Sequence, residues 1–341
     1  GASLILLSRE YRPGMPDHAL FTTVDVTAEA ARQAEHFRQR VDEIDALTGG
    51  HEPPLPVLTA RCRTCPLYPS CAGKGIEHPI FHLPHLTPAR LESLIARGYT
   101  TIRDIPDSEA LTPRQTLARE SIVSGKALLT GDLRADLAAV RWPARYLDFE
   151  TVGTAIPLYP DLAPLEPLPF LYSVRTCDQP GRMRSHKIFL SPHNRDASHD
   201  MAERLLQDLG EDGSIIVYSG CHSRIIRWLA RRAPDLAGPL RALLPRIVDL
   251  ERIVRRDICH PEFAGRTSLS TVLPALVPGF SYIDLEIEES TTAAATFAYL
   301  ARGGYYSEER GPLVRRDLAA YCARDTLALV RVHEALHNLA P

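Results

Sequence analysis

The run Arg145-Tyr146-Leu147-Asp148-Phe149-Glu150-Thr151 constrains this chain more than any other stretch. Its aromatic and apolar residues read as a strand, yet two acids stand in its middle. Residues two apart on an extended chain project to the same face, so Asp148 and Glu150 converge on one point. Two carboxylates on an otherwise apolar strand repel each other unless a cation lies between them. The run therefore predicts a sheet strand with a divalent-metal site at its acidic positions.

A second element lies some 170 residues downstream, where Tyr321-Cys322-Ala323-Arg324-Asp325 falls inside a helix predicted over Leu313–Leu336. Tyr321 and Asp325 are four apart and share a helical face. The tyrosine hydroxyl suits an attacking water while the aspartate binds metal. Around these motifs the periodicity predicts strands over Arg145–Thr151, Phe170–Thr176, Ser185–Leu190, Ser214–Tyr218 and Arg246–Leu250, with helices including Ser198–Leu209. The expected class is α/β, a central mixed sheet flanked by helices. With 341 residues, 45% of them hydrophobic and 24% charged, the chain is globular and long enough for two or three domains. No apolar run approaches the roughly 18 residues of a membrane span, and the N-terminus lacks the order of a signal peptide, so a cytoplasmic protein without a membrane partner is expected.

The N-terminal part reads differently. Ser3–Leu7 and Leu20–Val26 are predicted strands, and Ala28–Leu47 a helix. A chain that opens on a strand behind Gly1-Ala2, which resembles a cloning scar, reads as a fragment of a longer protein. A proline-rich linker over His51–Pro56 leads to Cys62, Cys65 and Cys71, a C-x2-C-x5-C arrangement. Two intervening residues make a turn that points both sulfurs inward, and the third thiol reaches back over a longer loop. Seven cysteines, three clustered and four scattered (Cys177, Cys221, Cys259, Cys322), favour reduced thiols with one ligand cluster. The set is one ligand short: a cysteine upstream would complete an iron-sulfur cluster, and His51 or His78 would complete a Cys3His zinc site. Unligated thiols on a loop are the alternative. Leu86–Ala96 is an amphipathic helix opened by Thr87-Pro88, and Gly98 separates it from Thr100–Ile105, an arrangement that resembles a helix-hairpin-helix and equally suits a plain connector. Leu111 to Ala139 is expected to continue as helices, including Arg114–Ser124, up to a boundary at Trp142-Pro143.

The Asp-x-Glu strand followed by the Tyr-x3-Asp helix resembles the tyrosine class of the DnaQ-type (DEDD) exonucleases, which implies a ribonuclease-H-like fold. The segments Ile215–Tyr218, His260–Phe263, Ser268–Ser270, Val272–Leu276 and Ser281-Tyr282 through Leu285-Glu286-Ile287 resemble the bacterial domain-of-unknown-function family 2779. Its members look like fusions of a RecB-type nuclease, an iron-sulfur cysteine motif and a DnaQ-like domain. That resemblance implies three parts. Residues 1–78 would be the C-terminal part of a RecB-like module, with Cys62, Cys65 and Cys71 on a 4Fe-4S cluster or Zn²⁺. Residues 79–143 would be a helical connector, and 144–341 the exonuclease domain. It further implies a 3′–5′ exonuclease that cleaves DNA or RNA by two-metal phosphodiester hydrolysis. Asp148, Glu150 and Asp325 would hold Mg²⁺ or Mn²⁺, and Tyr321 would orient the water. Other nuclease or helicase subunits, in DNA repair or defence, are the partners it suggests.

One departure cuts against activity. Related sequences read Tyr-Asn-x-x-Phe-Asp/Glu where this chain has Tyr218-Ser219-Gly220-Cys221-His222-Ser223, so Ser219 stands for the asparagine and Ser223 for the acid. Asp249, at the end of a predicted strand, and His222, as a neutral imidazole, are the candidate replacement ligands. Their plainer readings are a strand-end cap and a solvated loop histidine. Loss of the acid supports an alternative function, a catalytically impaired nucleic-acid-binding or scaffolding domain. Arg224, Arg227 and Arg231, with Arg232, follow at near-helical spacing and line either a backbone-tracking groove or a solvated face. A net charge of −3 argues against coating nucleic acid by bulk attraction and leaves room for a local basic groove. Tyr282, Tyr299, Tyr305 and Tyr306 suit base stacking or ordinary packing, and Glu286, Glu288 and Glu289 a solvent-facing run.

Overall fold

The computed structural model describes residues 1–50, 52 and 55–340, and the chain divides into two compact units. The first comprises residues 1–110 with 161–164, the second residues 111–160 and everything from 165 onward. Their boundary falls within the stretch expected as a connector. His51, with Pro53 and Pro54 of the expected linker, lies outside the described residues.

In the first unit β1 (Ser3–Leu7) pairs antiparallel with β2 (Phe21–Asp25), and α1 (Thr27–Thr48) follows. Its core is built from Ile80, Leu83, Leu91, Leu94, Ile102 and Ile105, all buried. Two of these lie on α2 (Pro88–Ala96), which opens as its sequence signals. Pro88 takes the first turn, and the Thr87 hydroxyl accepts from the Arg90 amide at 3.2 Å. The cysteine-bearing stretch forms short 3-10 turns over Ala60–Thr64 and Tyr68–Ser70.

The second unit opens with α3 (Pro113–Ser124), capped by Thr112 and Gln115. Gly125, at φ +67°, ends it in the left-handed region that glycine adopts without steric cost. The stretch expected to be helical up to Ala139 is therefore interrupted. β3 (Leu128–Leu129) pairs antiparallel with β9 (Ile258–Cys259) before α4 (Leu133–Ala138) begins. Arg114 fastens this pair by donating to the Ile258 carbonyl at 2.9 Å.

The main sheet has five strands: β4 (Ala144–Val152), β5 (Leu168–Gln179), β6 (Arg182–Leu190), β7 (Ile215–Val217) and β8 (Ile247–Asp249). Their order is β6-β5-β4-β7-β8, with β4, β5 and β6 an antiparallel meander and β7 and β8 parallel to β4. The class is thus mixed α/β, as expected. Parallel neighbours need crossovers, which α5 (Ser198–Leu209), α6 (Cys221–Arg232) and α7 (Ala237–Leu243) supply. α8 (Leu250–Asp257), α9 (Leu269–Leu276), α10 (Ser290–Arg302) and the 30-residue α11 (Arg310–Leu339) complete the unit. α10 docks through Phe297, stacked on Phe170 of β5 with ring centroids 4.2 Å apart. α11 docks through His333, whose Nδ1 lies 2.7 Å from the Tyr146 hydroxyl of β4. Among the described residues no helix is long and apolar enough to cross a membrane.

Candidate metal centre

β4 sits in the middle of the sheet and brings Asp148 and Glu150 to one place, as period-2 alternation requires. α11 brings Tyr321 and Asp325 to the same place. Its register against the sheet is fixed next to the motif. The hydroxyls of Thr326 and Ser173 lie 2.7 Å apart, and Arg175 donates to the Ala323 carbonyl at 3.0 Å. One oxygen from each of Asp148, Glu150 and Asp325 lies within 4.8 Å of the others. Among the described residues this is the one group of three His, Cys, Asp or Glu side chains so gathered.

The electrostatics are those of carboxylates crowded together out of water. Burial pushes the Glu150 and Asp325 carboxyls well above the ordinary carboxylate range, and the charge of Asp148 pushes both further. Three hard oxygen donors at this separation fit Mg²⁺ or Mn²⁺ and offer nothing to a soft metal. Burial, then the Asp325 charge, also drives the Tyr321 hydroxyl up, so it stays protonated and acts as a hydrogen-bond donor rather than a base.

The rest of the centre comes from segments far away in sequence. Residues 281–290 form a connection held by Arg324, which donates to the Ser281 carbonyl and pairs with Asp284, both at 2.6 Å. From it the Tyr282 hydroxyl donates to Asp325 Oδ1 and the Ser290 hydroxyl, at the start of α10, to Glu150 Oε2, each at 2.7 Å. Sequence reasoning took Tyr282 for a stacking or packing residue and did not single out Ser290. The only signal was that Tyr282 belongs to a family-like segment. On the outer side lies a cavity of about 440 Å³ lined by Leu273, Phe280, Tyr282, Ser290, Tyr321 and Asp325.

His222 closes the other side. It lies in the first turn of α6 and is 3% exposed, not on a solvated loop. Its Nε2 meets Asp148 Oδ1 at 2.9 Å, and its Nδ1 lies 3.1 Å from the Ser219 carbonyl. Burial works against a charged imidazole, but the bond to Asp148 outweighs it and holds the group up to about 10. The turn that delivers it runs through Ser219 at φ +82°, a conformation in which asparagine is more at home than serine.

Residues 145–268 match the model of one protein family, described as Domain of unknown function (DUF2779). It is the family that the sequence segments resemble. No curated protein and no solved structure matches the chain. The DUF2779 match starts on β4 and ends just before α9, so it contains Asp148, Glu150 and His222, while Tyr282, Ser290, Tyr321 and Asp325 lie beyond it.

Within the DUF2779 stretch, Asp249 stands outside the carboxylate group. It caps α8, its Oδ1 accepting from the amides of Glu251 and Ser219 at 3.0 Å and of Arg252 at 3.4 Å. Ser223 is half-buried. Arg224, Arg227 and Arg231 are exposed. Arg224 and Arg231 line, with Cys221, Trp228 and Thr151, a second cavity of about 320 Å³. Arg232 is turned away into a 2.6 Å ion pair with Asp196. In the first unit Cys65 and Cys71 are exposed and Cys62 half-buried, and among the described residues these thiols form no convergent group with one another or with His78.

Proposed function

We propose that this chain is a divalent-metal-dependent phosphodiester hydrolase, a 3′–5′ exonuclease acting on DNA or RNA, and that its second unit is ribonuclease-H-like. The observation that carries the reading is the convergence of Asp148, Glu150 and Asp325 from a central strand and the C-terminal helix. That the acids rise on the middle strand of a mixed sheet, with α11 crossing beside it, supports the fold assignment.

In this reading the three carboxylates hold Mg²⁺ or Mn²⁺. When bound, the ion stabilises charge developing on phosphoryl oxygens and lowers the pKa of water. Tyr321, held protonated, orients the attacking water by donating to it, and Tyr282 and Ser290 fix the rotamers of Asp325 and Glu150. The 440 Å³ cavity takes the terminal nucleotide, with the Phe280 and Tyr282 rings as stacking surfaces. Arg224 and Arg231 lie on the exposed face of α6 and meet backbone phosphate.

The cysteines have no comparable geometric support. Among the described residues the three thiols do not converge, and the proposed chemistry draws nothing from them. The neutral Ser223 favours the second reading, a binding module without turnover. One assay separates the two: end-labelled single-stranded DNA and RNA incubated with Mg²⁺ or Mn²⁺, with Asp148→Ala and Asp325→Ala run beside the parent. Shortening from the 3′ end by the parent alone is the expected result. Binding by all three proteins with no shortening under either metal would leave the second reading standing.

A further inference from the structure

Each of the three carboxylates is engaged at one oxygen by a protein donor. His222 holds Asp148 Oδ1 at 2.9 Å, Ser290 holds Glu150 Oε2 at 2.7 Å, and Tyr282 holds Asp325 Oδ1 at 2.7 Å. An ionised carboxylate only accepts, so Nε2 of His222 carries the hydrogen in its contact. Asp148 and Glu150 each keep one oxygen to face a metal, while Asp325 meets the Tyr321 hydroxyl as well as that of Tyr282.

A pair of catalytic ions sits about 3.5–4 Å apart, and a carboxylate shared between them must turn one oxygen to each. Asp148 lies within reach of both other acids, since one oxygen of each falls within 4.8 Å of the others, and its Oδ1 is taken. Nor, among the described residues, does another group of such side chains supply a second ligand set. Ser223, where related sequences carry the acid, brings no charge, and Asp249 spends its Oδ1 on three backbone amides. His222 cannot readily swing aside. It is buried, its ring lies against Phe149 with centroids 6.2 Å apart, and its Nδ1 sits against the Ser219 carbonyl.

We propose that the centre binds one divalent ion per chain, in place of the pair expected from the resemblance, because His222 occupies the Asp148 oxygen that a second ion requires. The proposal rests on the reading of these carboxylates as metal ligands. His222 is then a positioning residue, acting through Asp148. Restoring the Phe-Asp pair of related sequences, by His222→Phe with Ser223→Asp, frees Asp148 Oδ1 and supplies a charge to hold the second ion.

The test is the stoichiometry of Mn²⁺ on the full chain, by titration calorimetry and by electron paramagnetic resonance of the bound ion. The parent is expected to take one Mn²⁺ with an isolated-ion spectrum, and the double variant two, with the broadened spectrum of a coupled pair. Ser223→Asp alone, at a half-buried position on α6, is expected to stay at one. Two ions on the parent, two on Ser223→Asp alone, or one on a folded double variant would each overturn the role given to His222 while leaving a metal centre in place. A folded parent that takes no Mn²⁺ would remove the metal centre itself.

Discussion

Asp148, Glu150 and Asp325 burden the protein when no cation balances them. Because the folded state holds the Glu150 and Asp325 carboxyls above their ordinary range, it keeps protons that the unfolded chain releases. Stability contributed by these groups is therefore greatest at low pH and falls as pH rises toward neutrality. Removing one charge should relieve the others. Asp325→Asn, with the Tyr282 bond retained through its amide oxygen, is expected to raise the Tm in chelator at neutral pH by about 2–4 °C. It should also abolish the Tm rise that Mn²⁺ gives the parent. Thermal melts from about pH 5 to about pH 8 check both, and a parent whose melting in chelator is no more pH-dependent than the variant's would count against the repulsion. Tyr282→Phe tests the supporting shell: loss of the donor to Asp325 should weaken Mn²⁺ binding about tenfold with little change in fold, measured by calorimetry. At this scale the sequence disclosed Asp148, Glu150, Tyr321 and Asp325 because strand and helix periods are local rules. It did not disclose Tyr282, Ser290 or the bond from His222, whose partners lie 43, 140 and 74 residues away. No spacing rule reaches that far.

α11 shows what element-level reading can and cannot reach. Its period and composition predict Leu313–Leu336, and the observed Arg310–Leu339 extends this by a turn at each end, where fraying residues carry little pattern. The pattern says nothing about His333, a histidine on a buried helical face. Trp142 stacks over it at 8° and 6.0 Å, Tyr146 bonds its Nδ1, and its buried Nε2 has no hydrogen-bond partner among the described residues. Burial, then the nearby His337, lowers its pKa to about 3. A histidine neutral in the fold and ordinary when unfolded contributes stability that is whole above pH 6.5 and drains as pH falls below it, by about 1.4 kcal/mol per pH unit. His333→Gln keeps a partner for Tyr146 and removes the titration. Its stability deficit relative to the parent, from denaturant unfolding, should therefore shrink by about 2 kcal/mol between pH 7 and pH 5. An equal deficit at both pH values would mean that His333 is not held neutral. β3 and β9 escaped sequence reading for a simpler reason: two-residue strands have no period to detect.

For the whole molecule the sequence made the class legible, since alternation and helical periods named every strand of the main sheet, but not that β4 would be its middle, which only the pairing decides. The charge balance bears on function at the same scale. At −3 the chain as a whole repels a polyanion weakly, so any affinity for nucleic acid must come from a few placed cations. Arg224 and Arg231 are the pair that meet at one cavity, which Cys221 and Thr151 also line. If they neutralise phosphates, each releases counterions on binding, and log K falls with log salt by about 0.7 for each contact to a single strand. Binding of a fluorescent single-stranded oligonucleotide, followed by anisotropy in chelator so that no cleavage intervenes, should give a shallow slope for the parent. Arg224→Ala and Arg231→Ala should each reduce that slope by about 0.7 and weaken binding similarly across sequences, as contacts to backbone rather than to bases do. A slope unchanged in both variants would place the nucleic-acid track elsewhere on the surface, and the face of α6 would then be a solvated one.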